Sequence, residues 1–144
     1  EQLPSLIRAE TALLPAIELN ATYRPQGWNI NQLVNHLVDS HMNSIIRFKL
    51  ALTENVPTIK PYEEDLWVQL ADTVSCPLPL TLELLDMLHQ RWVILLTAFS
   101  KHDWERKIFH PVSKREWRLD ELLAMYTWHG KHHLQHIRIA KGIK

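Results

Sequence analysis

Apolar positions recur at helical spacing in four long stretches of the chain, and the segments between them hold most of the prolines. Residues 3–19 set Leu3, Ile7, Leu13 or Leu14 and Ile17 on one face, with Pro15 predicting a break or a late start. A second helix is expected from Asn29 to about Thr53, because Asn29 can cap its N-terminus and Gln32, three residues on, completes a capping box. A third is expected from about Leu80 to Phe99, where Leu84, Leu85, Leu88, Trp92, Leu95 and Leu96 form an apolar stripe. The fourth runs from about Leu119 to Lys141, with Asp120 and Glu121 in its first turn and Arg138 and Lys141 in its last, charges that complement the helix dipole at both ends.

The connection between the second and third helices, residues 54–79, carries Pro57, Pro61, Pro77 and Pro79 around a short helical turn from Asp65 to Leu70. Long crossovers of this kind occur in helix bundles. Residues 101–117 read as an irregular loop or a small hairpin. Only 3 glycines in 144 residues argue against a turn-rich β architecture. The pattern therefore predicts an all-α four-helix bundle with a long crossover, forming a single domain over residues 1–144 that can bury a core without disulfides or structural metal.

Charge narrows the function. Sixteen basic and 16 acidic residues are scattered along the chain, with no basic stripe, so nucleic acid is not an expected partner. No apolar run approaches the roughly 20 residues that span a bilayer, so no membrane association is expected. The single Cys76 has no intrachain partner, which points to a reducing, cytoplasmic setting. The chain does not open on methionine, and residues upstream of it are expected.

The chemistry is concentrated in WHGKHHLQHI, residues 128–137, which holds four of the 9 histidines. Residues i and i+4 lie about 40° apart on a helix, so His129/His133 and His132/His136 could each present two imidazoles to one ion. Phase separates the two registers. Leu122, Met125, Tyr126, Ile137 and Ala140 define an apolar arc; His129 and His133 fall near its centre, His132 at its border and His136 farther off. A buried imidazole needs a partner to offset its desolvation, and two in one register with a third available elsewhere suit zinc, nickel, copper or iron. Three protein ligands with one open position is the arrangement of a catalytic zinc site.

The residues alone do not decide the third ligand. In the second helix His36, Ser40, Asn43 and Arg47 share a polar stripe, whereas His41 lies among Ile30, Leu37, Phe48 and Leu52, so periodicity places His41 in the core. The stripe reads either as a solvated face or as a polar cleft in which Arg47, with Asn43, meets an anionic substrate group. Asp39 is the nearest acidic residue and reads as surface polarity. His41, His89, His102, His110, His132 and His136 are read as surface or structural, and Trp28, Trp67, Trp92 and Trp128 as the tryptophans to be buried.

The stretch from Gly27 to Trp67, the segment HQRWVILL at residues 89–96 and the closing YTWHGKHHLQHI resemble the YfiT branch of the DinB-like superfamily, most specifically at HLVDSHMN (residues 36–43) and WHGKHH (residues 128–133). The resemblance implies a four-helix bundle binding one divalent metal, zinc or nickel, through three histidines. By motif these fall on His36, His129 and His133. It also implies a homodimer acting on a small-molecule substrate, although the N-terminus is shorter than the family's pattern. Members are described as proposed metal-dependent hydrolases, and relatives transfer bacillithiol, mycothiol or glutathione. The expected function is transfer of a low-molecular-weight thiol, bacillithiol-like, to small electrophiles; the alternatives are a hydrolase and a non-catalytic metal-binding stress-response bundle. In the two enzymes the attacking group would be a metal-bound thiolate or water, not a protein residue.

Overall fold

The structure, a computed structural model, describes residues 2–142. Four helices dominate it: α1 (Leu3–Thr11), α2 (Ile30–Thr53), α5 (Leu78–Thr97) and α7 (Leu119–Ala140). Between them stand the one-turn helices α3 (Glu64–Trp67) and α4 (Ala71–Val74), the short α6 (Lys101–Glu105) and a hairpin of β1 (Lys107–His110) and β2 (Arg115–Arg118). Helix α2 packs against α5 and α7, and α1 packs against the same two.

Local chemistry sets the boundaries. Asn29 accepts from the Gln32 amide at 2.8 Å and the Gln32 side chain accepts from the Asn29 amide at 3.0 Å, the expected capping box. The first helix is shorter than its apolar periodicity suggests: it ends at Thr11, and a turn leads past Pro15 to a 3₁₀ segment at Glu18–Asn20. Proline lacks the amide that would continue the ladder there. The expectation of an all-α chain needs correcting at residues 107–118. The β1–β2 pairing is antiparallel, with Ile108 opposite Trp117, and Lys114 takes a positive φ of 51° in the turn. The crossover is strapped to this hairpin: the Phe109 amide donates to the Pro57 carbonyl at 2.9 Å and the Ile59 amide to the Phe109 carbonyl at 3.0 Å.

Gly130 permits a close approach of α1 to α7. A Cβ at that position would stand 2.5 Å from Leu3 Cδ2, so a side chain there would force α1 away from α7 or displace Leu3. At the far end of α7, Arg138 and Lys141 do more than complement the dipole. They hold the Glu10 carboxylate of α1 at 2.8 and 2.7 Å.

The core lies in two apolar bodies. One gathers Ile7, Leu33, Leu37, Leu85, Leu134 and Ile137; the other gathers Phe48, Trp92, Ile108, Leu119, Leu122 and Tyr126. Polar side chains cluster near where the two bodies meet: His36, Ser40, His41 and Ser44 on α2, His89 on α5, His129 and His133 on α7. The helices thus carry a histidine layer across the middle of the bundle.

Candidate metal centre

On one side of that layer three imidazoles converge. His36 Nε2 lies 3.2 Å from His129 Nε2, and His133 Nε2 lies 3.1 Å from the same atom. Tetrahedral coordination at 2.0–2.1 Å places neighbouring ligand nitrogens about 3.3 Å apart, so one ion would fit this spacing with little movement. Among the described residues these three form the group of histidine, cysteine or acidic side chains whose ligand atoms lie close enough together to hold a metal.

Each imidazole is poised as a neutral donor. Burial, with the His129 ring beside it, pushes His36 down to about 3; burial and then His132 push His129 to about 4; burial and the surrounding histidines, His129 first, push His133 to about 2. A neutral ring keeps the lone pair that a cation requires. The Nδ1 atoms of His129 and His133 are buried with no hydrogen-bond partner among the described residues. Trp28 closes one flank, its ring centroid 4.6 Å from that of His36, and its indole N–H is anchored on Asp65 of α3 at 3.0 Å.

The polar stripe of α2 is not a solvated face. His36 is 1% exposed and Ser40 6%, because α7, the crossover and β1 cover the side of α2 that periodicity alone would leave to water. Arg47 is half-buried in a cavity of about 270 Å³ bounded also by Ser40, Tyr62, Glu64, His110 and His129, and its guanidinium donates to the Tyr126 hydroxyl at 2.6 Å. Asn43 does not line this cavity; its amide donates to the Asp39 carbonyl one turn back. Asp39 is half-buried rather than fully solvated, and burial, with Asp72 nearby, pushes it up to about 6.

Three lining residues were not foreseen. Tyr62 and Glu64 come from the crossover and His110, read from sequence as surface or structural, comes from β1, so no helical phase could have placed them; the strap at Pro57–Ile59 brings them beside Arg47. Burial, and then Asp65, raise the Glu64 carboxyl above its ordinary value, with Arg47 opposing, and the Tyr62 hydroxyl is buried with no hydrogen-bond partner among the described residues. The other histidines stand apart. His132 and His136 lie on the neighbouring face of α7, stacked against Trp128 and Tyr23. His41 is 1% exposed, in the core as its phase suggests. Trp92 is buried, but Trp28 and Trp67 are only partly so, and Trp128 is 61% exposed, contrary to expectation, because it sits on the outer face beside His132.

Against known proteins, the model of the DinB superfamily matches residues 1–137. A protein of Bacillus mycoides (strain KBAB4), whose name proposes a metal-dependent hydrolase, is 46% identical over 137 residues, covering 95% of this chain and 78% of its own. A similarly named protein of Bacillus cereus (strain ZK / E33L) matches to the same extent, 46% over 137 residues. Among solved structures, YfiT from Bacillus subtilis, described as a probable metal-dependent hydrolase with an unusual four-helix bundle topology, superposes with a TM-score of 0.94 at 39% identity, covering 96% of this chain and 79% of its own. A mycothiol-dependent maleylpyruvate isomerase shares the fold at a TM-score of 0.74 and 15% identity, over 94% of this chain and 56% of its own. Helix order, histidine layer and sequence likeness lead to one assignment: the chain belongs to the DinB superfamily.

Proposed function

We propose that the protein is a metal-dependent hydrolase of small molecules that carry an anionic group, with one divalent ion held by His36, His129 and His133. The observation that carries this reading is the convergence of three neutral imidazoles, the His36 and His133 Nε2 atoms 3.2 and 3.1 Å from His129 Nε2 and all three ligand atoms within 4.8 Å of one another, beside a cavity containing a half-buried arginine. When bound, the ion supplies Lewis acidity and acidifies whatever nucleophile takes its open position. The chain's own residues do the rest. Arg47, oriented by Tyr126, binds the anionic group and sets the distance of the reacting bond from the histidines. Trp28 and the crossover restrict water on the flanks of the triad. Glu64, whose carboxyl is raised above its ordinary value by burial, is the acidic group lining the cavity and stands where it can exchange a proton with the reacting group.

The names of the Bacillus relatives support hydrolysis, and this reading now stands ahead of thiol transfer, which the sequence put first. Thiol transfer remains the second reading, because an arginine beside the triad suits a carboxylate-bearing thiol equally well. Metal analysis of the purified protein, followed by parallel assays on a panel of small esters and amides and of an electrophile with bacillithiol, mycothiol and glutathione, separates the two. Metal-dependent cleavage without thiol supports the hydrolase; turnover that requires a thiol overturns it in favour of transfer.

A further inference from the structure

The cavity beside the triad holds a polar group that the fold leaves unbonded. Tyr62 lines it together with Arg47 and His129, and the Tyr62 hydroxyl is buried with no hydrogen-bond partner among the described residues. Leaving a buried donor unpaired costs free energy, and a phenylalanine would fill the same space without that cost. The hydroxyl is not needed to hold the ring. Before it the strap fixes Pro57 and Ile59 to Phe109, and after it Trp67 of α3 packs at a centroid distance of 4.4 Å, while α3 is itself anchored by the hydrogen bond between Asp65 and Trp28.

Its surroundings make this hydroxyl a donor. Burial, and then Glu64 and Asp39, push it above the ordinary tyrosine value, so it keeps its proton across the neutral range. Arg47 has capacity to spare in the same cavity: its guanidinium donates to the Tyr126 hydroxyl at 2.6 Å and forms no ion pair among the described residues, although it carries five N–H groups. Charge then sets which acceptor suits the two. Among the described residues of the lining Arg47 is the cation and Glu64 the carboxylate, while burial, and then Arg47, lower His110. One guanidinium with a carboxylate beside it favours a singly charged acceptor over a dianion such as a phosphate monoester. At about 270 Å³, just under the usual range for small-molecule sites, the cavity limits the rest of the molecule to a short chain.

We propose that the anionic group of the substrate is a carboxylate and that Tyr62 is the residue that positions it with Arg47, the phenol donating one hydrogen bond to the carboxylate and the guanidinium the others, so that a short chain leads from this pair to the histidine triad. The inference rests on the reading of Arg47 as the anion-binding residue and adds to it the identity of the anion and its second donor.

The test titrates the purified, metal-loaded protein with butanoate, its uncharged counterpart butanamide and propyl phosphate by ligand-observed NMR at pH 8, and repeats each titration after chelation so that coordination to the ion is told from binding at Arg47. In both states butanoate should bind saturably and about tenfold more tightly than butanamide, and in the chelated protein more tightly than propyl phosphate. Tyr62→Phe should weaken butanoate about tenfold, the share of a hydrogen bond to a charged group, while keeping its metal and melting no lower than wild type, because the hydroxyl it removes has no protein partner to lose. Butanoate binding that is lost in Arg47→Ala but undiminished in Tyr62→Phe would overturn the role of Tyr62 and leave that of Arg47 standing. Binding that is absent from the wild type, or indifferent to both substitutions, would overturn the reading of Arg47 as well. A lower melting temperature in Tyr62→Phe would make the hydroxyl structural, and tighter binding of propyl phosphate to the chelated protein would overturn the carboxylate.

Discussion

Acidifying the metal-free protein should unfold it through the histidines that the bundle keeps neutral. His36, His129 and His133 have folded-state pKa values pushed down to about 3, 4 and 2, against an ordinary value near 6.5. A depressed pKa means that the unfolded chain takes up protons below about 6.5 while the folded chain does not. Stability from these groups is therefore complete above that pH and is lost progressively as pH falls toward the folded values. At pH 5.5 each such histidine costs roughly 1.4 kcal/mol relative to pH 8, or about 4 kcal/mol for the three. That is a large share of the 5–15 kcal/mol by which a typical domain is stable. At roughly 2–4 °C per kcal/mol, the melting temperature of the metal-free protein should drop by about 8–16 °C between pH 8 and pH 5.5. His41 and His89, also depressed by burial, act in the same direction. Calorimetric melting across that range, repeated with His133→Gln, provides the assay. The substitution should remove about one histidine's share of the slope. A melting temperature that stays flat down to pH 5.5 in chelator-treated wild type would refute the claim that the fold keeps these rings neutral.

Other outcomes follow from the same geometry. Arg47→Ala should leave metal content intact and raise KM at least tenfold for anionic substrates, with Arg47→Lys intermediate, as steady-state kinetics on matched charged and neutral substrates would show. Glu10→Gln, which breaks the link of α1 to Arg138 and Lys141, should cost about 1 kcal/mol at pH 7 by urea unfolding. Because those partners hold the Glu10 pKa below its ordinary value, that difference should be present above about pH 4.5 and fade as pH falls through the folded value. Leu37→Ala, at a position 0% exposed, should cost about 2–5 kcal/mol, whereas Trp128→Ala should change stability little despite the size of the side chain removed.

The parts of this protein that were legible in its sequence are those governed by short-range periodicity. The Asn29–Gln32 cap, the extent of α2 and α7, and the inward phase of His129 and His133 follow from rules that operate within a helical turn or two. His41, too, is where its phase puts it. His36 shows where such reasoning ends. Its stripe is polar, and polarity on one helix does not tell a solvated face from a cleft that other segments cover; the crossover and hairpin that cover it have no period to read. Tyr62, Glu64 and His110 were hidden for the same reason, since their meeting depends on two backbone hydrogen bonds between Pro57–Ile59 and Phe109. Trp128 departs in the opposite direction, expected to be buried but placed by its position on α7 on the outer face.

The central claim is that one ion is held by His36, His129 and His133, and metal stoichiometry tests it most directly. Wild-type protein, stripped and reconstituted with zinc or nickel, should bind one ion per chain by elemental analysis. His36→Ala, His129→Ala and His133→Ala should each lose stoichiometric metal, since each removes one of the three ligand nitrogens that lie within 4.8 Å of one another. His132→Ala and His136→Ala, on the neighbouring face of α7, should retain it, and His41→Ala should retain it while losing stability. Metal kept by His36→Ala but lost from His41→Ala would contradict the account, because the ion would then belong to the other side of the histidine layer.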